Sequence, residues 1–254
     1  MSRYKETAGI SIRCFVEETL TVTVLLMNLN GPAPANGPDD NGRPAPDRRR
    51  VEFSNIVNEK KPNVVFLQEF SLKNIRGAKW KNYPLPEKYK KIGDKEACIL
   101  YDSNLFHDPD DLDDTDFTQT NIRNILSELR RTSNNNLGEP FQTDFTPFPR
   151  MCLTILKTKT YPTLKFICIS WHGWYSKMSV DKRSQFFAYL LEFLRQFKEK
   201  YNLPMLIAGD FNVKIEEIED LVVPPFKLCK YEPSERREKR VIDFYIITDE
   251  LDLG

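Results

Sequence analysis

Short apolar runs recur along the chain, and turn-forming residues bound most of them. The runs span residues 20–27, 63–67, 97–101, 151–156, 164–170, 205–208, 226–231 and 241–247. Their length and their content of β-branched and aromatic residues are typical of buried β-strands. The runs at 151–156 and 164–170 are close enough to pair as a hairpin through Tyr161-Pro162. The pattern therefore predicts a protein rich in β-sheet.

Apolar residues at helical spacing predict helices between these strands. Residues 47–60 form one candidate, with Asp47 as the N-cap, and residues 121–131 form another. Ser179 is placed to cap a long helix that runs to about residue 201, and residues 216–221 fit a short helix. The long helix carries an apolar stripe that suits a core-facing surface: Phe186, Phe187, Leu190, Leu191, Leu194 and Phe197. Together with the strands, these helices indicate an α/β fold.

Three stretches predict loops. Residues 32–46 are rich in Pro, Gly, Ala, Asn and Asp, so we expect a mobile loop with little to bury. Residues 80–91 are also typical of a loop, and residues 102–149 look like an insertion between strands. The acidic run at 108–116 lacks the Gly and Glu that a calcium-binding loop needs at its sixth and twelfth positions. We expect residues 1–254 to form a single domain.

Composition narrows the setting of the protein. The 254 residues include 37 Lys and Arg against 37 Asp and Glu, so nucleic acid could bind only through a local basic patch. The apolar runs are too short to span a membrane, and the polar start of the chain argues against a secretory signal. The five Cys are scattered without a C-x-x-C pair, which indicates reduced, mostly buried thiols. These features favour an intracellular protein, cytoplasmic or nuclear, of undetermined oligomeric state.

Polar side chains stand where several predicted strands end. Asp210 and Asn212 follow the buried strand at 205–208, where they either form a site on a rigid support or simply cap a turn. Glu69 follows the strand at 63–67, a place where glutamates are often solvated edge residues. One such end is weak evidence for a site, but repetition at several strands favours a functional interpretation.

Two further polar residues fit the same pattern. His172 follows the strand at 164–170 and lies between two tryptophans, where it either packs in a surface cluster or is exposed by a sharp turn at Gly173. Asp243 lies inside the apolar strand at 241–247, so it needs a partner or a wet site. The complete set of polar strand-end residues is Asn28, Asn30, Glu69, His172, Asp210, Asn212 and Asp243.

Carboxylates and amides with few cations suit a hard divalent ion. Mg²⁺ prefers oxygen ligands, keeps several waters and often uses one or two carboxylates together with a substrate phosphate. Such an ion polarises a phosphoryl oxygen and helps to present a water for in-line attack. The sequence therefore predicts a Mg²⁺ site, with Mn²⁺ as the alternative ion.

Five motifs, in order and spacing, resemble the endonuclease/exonuclease/phosphatase superfamily, whose fold is that of pancreatic-type deoxyribonucleases and apurinic endonucleases. They are Met-Asn-Leu-Asn-Gly at 27–31, Val-Phe-Leu-Gln-Glu-Phe at 65–70, Ile-Ser-Trp-His at 169–172, Ala-Gly-Asp-Phe-Asn at 208–212 and Arg-Val-Ile-Asp-Phe-Tyr at 240–245. The resemblance implies a four-layer α/β/β/α sandwich with two mixed sheets face to face and helices outside. It also implies metal-dependent hydrolysis of phosphodiesters, most simply in nucleic acid.

The resemblance assigns a role to each polar strand end. Glu69 would be the main metal ligand, with Asn28 beside it. Asp210 and Asn212 would orient the attacking water and contact the scissile phosphate.

The same resemblance divides the remaining roles among four residues. His172 would bind the phosphate and stabilise its developing charge. Asp243 would orient a catalytic histidine. Asn30 and Arg183 would contact the substrate phosphate.

The sequence departs from the family pattern near its C-terminal end. The family's last strand carries Ser-Asp-His, which supplies the histidine partner of Asp243, and no such motif follows residue 248. His107, in the acidic insertion, is a poor substitute. Three interpretations follow: an active nuclease-like phosphodiesterase, a catalytically inactive binding or scaffold protein, or an inositol- or lipid-phosphate phosphatase. A basic groove formed by residues 48–50, 177, 183 and 236–240 would favour the first.

Overall fold

Two β-sheets and two long helices form the described part of the protein. The computed structural model describes residues 8–13, 19–28, 45–69, 85–93, 96–109, 124–125, 127–128, 131, 150–160, 163–174, 179–229 and 243–253. Within these ranges one sheet has six strands and the other has five.

The first sheet is mixed, with a single parallel pair at its centre. Its strands are β1 (Ala8–Arg13), β2 (Thr19–Asn28), β3 (Val64–Gln68), β4 (Tyr89–Gly93), β5 (Ala97–Asp102) and β11 (Leu251–Leu253). Their order across the sheet is β11-β1-β2-β3-β5-β4. The strands β2 and β3 are parallel, with Asn28 opposite Gln68, and every other pair is antiparallel. The two central strands therefore end at the same edge.

The second sheet repeats this plan. Its strands are β6 (Met151–Lys157), β7 (Lys165–His172), β8 (Met205–Asp210), β9 (Phe226–Cys229) and β10 (Asp243–Thr248), in the order β6-β7-β8-β10-β9. The strands β6 and β7 form the predicted antiparallel hairpin. The strands β7 and β8 are parallel, with His172 opposite Asp210, and β10 runs antiparallel to β8 with Asp243 opposite Asp210.

One helix covers the outer face of each sheet. The helix α1 (Ala45–Lys60) places Phe53 and Val57 against the first sheet. The helix α2 (Val180–Tyr201) covers the second sheet with its predicted apolar stripe, and the hydroxyl of Ser179 caps it by accepting a hydrogen bond from the amide of Lys182 at 3.3 Å. Asn202, in a left-handed conformation with φ of 47°, ends the helix.

Strand periodicity sorts the core into three layers. In β2, Val22, Val24 and Leu26 face the second sheet, while the residues between them face α1. The second sheet divides in the same way: even-numbered residues of β7 and β8 meet the first sheet, and odd-numbered residues meet α2. The layers are helix, sheet, sheet and helix, so the expected four-layer α/β/β/α sandwich is confirmed.

Several local predictions need correction. Residues 80–91 are not entirely loop, because β4 begins at Tyr89. Two further strands were not predicted: β1, in a stretch without a clear pattern, and β11, which has only three residues. Asp47 is not the N-cap of α1, because the helix already begins at Ala45. The predicted short helix at 216–221 is a pair of short 3-10 turns, at Ile215–Glu217 and Glu219–Leu221.

Some predictions concern residues that the structure does not describe. Residues 32–44 of the expected loop at 32–46 lie outside the described residues, whereas residues 45 and 46 already belong to α1. Most of the expected insertion at 102–149 also lies outside the described residues. A single domain over residues 1–254 stays a prediction. Of the cysteines, Cys98, Cys152, Cys168 and Cys229 are buried free thiols as expected, and Cys14 lies outside the described residues. None of the helices in the described ranges combines the length and apolar character needed to cross a bilayer.

Candidate active site

The polar strand ends meet at one edge of the sandwich because each sheet has a parallel pair at or near its centre. Parallel strands place their carboxyl ends side by side, so Asn28 lies beside Gln68 in the first sheet and His172 beside Asp210 in the second. Asp243 joins the same edge from the start of the antiparallel β10, directly opposite Asp210.

The alternation of strand residues points these side chains between the two sheets. In β8, Leu206 and Ala208 belong to the layer between the sheets, and Asp210 continues their series by two residues. The same period places Asn28 after Leu26 and His172 after Cys168 and Ser170. In each of these strands, the series of inward-facing residues thus ends in a polar side chain, and these polar side chains converge at the same edge of the sandwich.

A hydrogen bond joins the two sheets at this edge. Nδ2 of Asn28 donates to Oδ2 of Asp210 at 2.5 Å. Asp210 is 6% exposed and Asn28 is half-buried, so water competes little for the bond. The contact fixes an amide of the first sheet against a carboxylate of the second.

The loop after β8 is held by hydrogen bonds from both sides. The backbone amide of Asn212 donates to Oδ1 of Asp210 at 2.9 Å, and Nδ2 of Asn212 donates to the carbonyl of Gly173 at 2.9 Å. Asn212 has φ of 53°, in the left-handed region that Asn tolerates. The turn interpretation of these two residues is therefore correct, and it is compatible with a site because the turn is what orients both side chains.

Gly173 is required where the two loops cross. A Cβ atom on this residue would lie 2.2 Å from the carbonyl oxygen of Phe211, a contact that backbone cannot relieve. The amide of Gly173 donates to the carbonyl of Asp210 at 2.6 Å. The close approach lets the loop after β7 pack against the loop after β8.

His172 is buried between two glutamates. Its ring is 2% exposed, so the expectation that the turn at Gly173 exposes it is wrong. Nδ1 lies 3.0 Å from Oε2 of Glu96, and Nε2 lies 3.1 Å from Oε1 of Glu69, although this second contact is not aligned as a hydrogen bond. Glu69 itself has φ of 53°, which turns the chain at the end of β3. The imidazole therefore links carboxylates of the first sheet to a strand of the second.

Glu96 and Arg150 belong to the site and were not predicted from the sequence. Glu96 directly precedes β5 and reaches His172 across the sheets. Arg150 directly precedes β6, and its Nη1 atom lies 3.4 Å from Nδ1 of His172. Strand pairing contained the signal: β5 runs antiparallel to β3 and β6 to β7, so the residue before each strand lies beside the polar end of its neighbour.

Burial and a neighbouring acid perturb Asp210. Burial and, to a smaller extent, the adjacent carboxylate of Asp243 raise the pKa of Asp210 to about 7, although the amide of Asn212, His172 and the side chain of Asn28 oppose the shift. Two carboxylates packed side by side repel each other, so this edge of the sandwich favours a bound proton or cation.

Below the site, a second polar contact joins the sheets. Gln68 and Ser170 are both fully buried, and Nε2 of Gln68 donates to Oγ of Ser170 at 2.9 Å. The hydroxyl of Ser170 donates in turn to the carbonyl of Leu67 at 3.2 Å. Gln68 directly precedes Glu69, and Ser170 lies two positions before His172. The contact between them therefore supports the site from within the core.

Six of the eight predicted site residues lie at this edge. They are Asn28, Glu69, His172, Asp210, Asn212 and Asp243. Asn30 lies outside the described residues. Arg183 lies in the first turn of α2, in the outer helical layer, and its contact with substrate stays a prediction.

The donor set fits a hard divalent ion. Among the described residues, no three His, Cys, Asp or Glu side chains converge closely enough to hold a metal by themselves. Mg²⁺ does not require this, because one or two carboxylates with waters and a substrate oxygen complete its shell. The carboxylate of Glu69 and the amide of Asn28 stand at the ends of adjacent strands, and both offer oxygen atoms.

The fold has counterparts among solved structures. At the level of sequence, no protein-family profile and no curated protein matches the chain. The catalytic domain of human Nocturnin with a bound sulfate anion is similar to it with a TM-score of 0.56 and 12% identity, over 91% of this chain and 86% of that one. The Bacteroides thetaiotaomicron mannosyl-6-phosphatase Bt3783 is similar with a TM-score of 0.55 and 18% identity, over 90% and 85%.

A third similar structure is longer than this chain. TDP2 from C. elegans has a TM-score of 0.53 and 15% identity, and 89% of this chain spans 64% of the TDP2 chain. A further match, at a TM-score of 0.52, is a B. thetaiotaomicron protein described as an endonuclease/exonuclease/phosphatase family protein. At these identities the similarity concerns the backbone. This chain therefore has the endonuclease/exonuclease/phosphatase-like fold.

Proposed function

We propose that this chain is a divalent-metal-dependent phosphoesterase that hydrolyses phosphodiesters, with nucleic acid as the expected substrate and Mg²⁺ or Mn²⁺ as the ion. The observation that carries the proposal is the hydrogen bond between Asn28 and Asp210 across the two sheets. It places an oxygen-rich, partly buried cluster at one edge of a fold that similar proteins use for phosphoester chemistry.

The ion would be held by Glu69 and Asn28, with waters and a substrate oxygen completing its shell. When bound, it would polarise the phosphoryl group and neutralise charge as the ester bond breaks.

Asp210 and Asn212 would act on the water and the phosphate. Asp210 is fixed from two directions, by Nδ2 of Asn28 and by the backbone amide of Asn212. A carboxylate held in this way can orient a water by accepting its hydrogen bond, without losing free energy to side-chain ordering during the reaction. Asn212 is held in turn through Gly173.

His172 would stabilise the developing negative charge on the phosphate. Glu96 fixes the plane of the ring through Nδ1, which leaves Nε2, on the side of Glu69, as the atom able to face the substrate.

The neighbours support phosphate chemistry without fixing the substrate. Human Nocturnin holds a sulfate, a tetrahedral anion of phosphate shape, and the Bacteroides protein is named for a sugar phosphate. Most of the residues of the expected basic groove have side chains outside the described part of the chain. A phosphomonoesterase acting on a sugar, inositol or lipid phosphate is therefore the second candidate, and an inactive binding protein is the third.

Hydrolysis of a substrate panel tests the proposal. The panel contains single-stranded DNA, duplex DNA, RNA, a generic phosphodiester, an inositol phosphate and mannose 6-phosphate, each assayed with Mg²⁺, with Mn²⁺ and with a chelator. Glu69→Gln removes the proposed metal carboxylate, and Glu59→Gln, on the exposed side of α1, is the matched control. We expect turnover that requires the ion and is lost in Glu69→Gln but not in Glu59→Gln.

The outcomes separate the candidates. Fastest turnover on a nucleic acid supports the proposal, and fastest turnover on a monoester supports the second candidate. No turnover, with the thermal midpoint still raised by Mg²⁺ in the wild type and not in Glu69→Gln, indicates the inactive binding protein. Turnover that a chelator leaves unchanged would refute the metal-dependent mechanism.

A further inference from the structure

Arg150 places a guanidinium group beside His172. Its Nη1 atom donates to the carbonyl of Gly173 at 3.0 Å and to the carbonyl of His172 at 3.4 Å, and it lies 3.4 Å from Nδ1 of the imidazole. The backbone of Arg150 is also fixed, because its carbonyl accepts the amide of His172 at 2.9 Å. The arginine is thus part of the wall of the candidate active site.

No ion pair with a described residue neutralises the charge of this arginine. Within the described part of the chain, no carboxylate lies within 4 Å of its guanidinium, and the groups that it binds are neutral carbonyls. The nearby glutamates instead contact His172. Arg150 is half-buried, so its charge is less well hydrated than on an open surface and gains more from an anionic partner. A bound anion beside this guanidinium would supply that partner.

Only one edge of the guanidinium is used. Every hydrogen bond of Arg150 to the described residues involves Nη1, which leaves the edge formed by Nε and Nη2 for another acceptor. The planar guanidinium carries five N–H donors, and an edge of this kind matches two oxygens of a phosphate. If Arg150 only held the loop after β7 in place, the hydrogen bonds of Nη1 to the carbonyls of that loop would be sufficient. Such a structural role does not explain the edge formed by Nε and Nη2.

A tryptophan limits the orientation of the guanidinium. Its Cζ atom lies 5.9 Å from the centre of the Trp174 ring, within the range of a cation–π contact. Trp174 is stacked on Phe186 with the ring centres 4.8 Å apart. The indole is thus anchored to α2, and the guanidinium is preorganised rather than free to rotate into solvent.

We propose that Arg150 is a substrate-binding residue whose Nε and Nη2 edge holds two oxygens of the substrate phosphate next to His172. This inference rests on the proposed phosphoesterase function, and it assigns the phosphate contact to a residue that is already at the site. The ligand class is a phosphate ester, and inorganic phosphate is its simplest form. Because the contact exists before the reaction, it acts mainly on binding.

Two variants and a control test the inference. Arg150→Gln removes the charge and the fork, and Arg150→Lys keeps the charge without the fork. Arg195→Gln is the matched control, because the ion pairs of this exposed arginine with described residues are with glutamates of its own helix, α2. The readouts are KM and kcat on the best substrate, and the Kd of inorganic phosphate by calorimetry with and without Mg²⁺. The calorimetric readout needs no turnover, so it remains valid if the proposed function fails.

We expect Arg150→Gln to raise KM and the Kd of phosphate by about 10- to 100-fold with a smaller change in kcat, as for loss of a charged hydrogen bond. Arg150→Lys should fall between Arg150→Gln and the wild type, and Arg195→Gln should match the wild type. Unchanged KM and phosphate affinity in folded Arg150→Gln, with the wild type active, would overturn the inference and leave the proposed function standing. Failure of phosphate to bind the wild type would overturn it as well.

A measurement on the unaltered protein covers variants that fail to fold. Phenylglyoxal modifies arginine side chains, and peptide mass spectrometry identifies which ones react. We expect phosphate to protect Arg150 from modification and to leave Arg195 unprotected. Equal modification of Arg150 with and without phosphate would contradict the inference.

Discussion

The buried contact between Gln68 and Ser170 offers a sharp test of how the two sheets are joined beneath the site. Both side chains are completely buried, and Nε2 of Gln68 donates to Oγ of Ser170 at 2.9 Å. Oε1 of Gln68 has no hydrogen-bond partner among the described residues, so the amide already carries one unsatisfied buried atom. The two partners therefore differ in what their removal costs.

Replacing Ser170 by Ala should be the more damaging change. It leaves both polar atoms of the Gln68 amide buried without a partner and removes the donor to the carbonyl of Leu67. A buried unsatisfied polar group costs about 1–3 kcal/mol, so we expect a loss of about 2 kcal/mol in the free energy of unfolding. Replacing Gln68 by Leu removes the unsatisfied amide, and the Ser170 hydroxyl can still bind Leu67, so we expect a loss below about 1 kcal/mol.

The double variant separates this account from simple additivity. With Gln68→Leu in place, Ser170→Ala no longer leaves an amide unsatisfied, so the double variant should be more stable than Ser170→Ala alone. Urea denaturation followed by fluorescence gives the four free energies, and the coupling energy should be about 1–2 kcal/mol. Losses that add within about 0.5 kcal/mol would refute the reasoning, because independent sites behave in that way.

Three further changes probe the site and its frame. Glu96→Gln should lower kcat by about 10- to 100-fold with the fold intact, because the imidazole of His172 loses its orienting carboxylate. Steady-state kinetics measure kcat and circular dichroism checks the fold. An unchanged kcat would refute this prediction. Gly209→Ala places a Cβ atom 1.9 Å from the carbonyl oxygen of Trp171, which forces β7 and β8 apart. Urea denaturation should therefore show a loss of at least about 2 kcal/mol in the free energy of unfolding. A loss below about 0.5 kcal/mol would contradict the geometry. Burial raises the pKa of Glu250, but hydrogen bonds from Lys198, Thr248 and the Glu250 backbone, together with the charge of Lys198, hold the pKa below its ordinary value of 4.5. A lowered pKa stabilises the fold at higher pH, so Glu250→Gln should cost up to about 1 kcal/mol at pH 7, because solvent screens this partly exposed pair. The difference from wild type should shrink as pH falls below about 4.5, and a difference independent of pH would exclude the ion pair as the cause.

The apolar runs predicted the central strands because these strands are buried on both faces. In β3, β5 and β8 every residue is buried, so sequence and environment agree residue by residue. The edge strand β4, Tyr-Lys-Lys-Ile-Gly, mixes buried, half-buried and exposed positions, and its pattern resembles a loop. The strand β11 is too short to carry a period at all. Prediction failed where burial is partial.

The site was predicted as far as polar residues follow apolar strands. Asp210 and His172 end such rows, and their neighbours could be inferred from strand order. Glu96 and Arg150 precede their strands, so nothing in their own segments distinguishes them from loop residues. Their positions depend on antiparallel registers that only the folded chain defines. Once the strand order is known, pairing each strand end with the start of its antiparallel neighbour identifies both.

The parallel pairs β2–β3 and β7–β8 also determine which backbone motions leave the geometry of the site unchanged. The strands of these pairs lie inside the sheets, with β1 and β5 flanking the first pair and β6 and β10 flanking the second; of these four, only β6, which follows Arg150, is itself an edge strand. Fraying of an outer strand such as β4, β9 or β11 therefore leaves the converging side chains in place. Hydrogen exchange should show this as outer-strand amides that open locally while the amides of β3 and β8 exchange only through global unfolding. A chain organised in this way can vary at its edges while its reactive groups keep a fixed geometry.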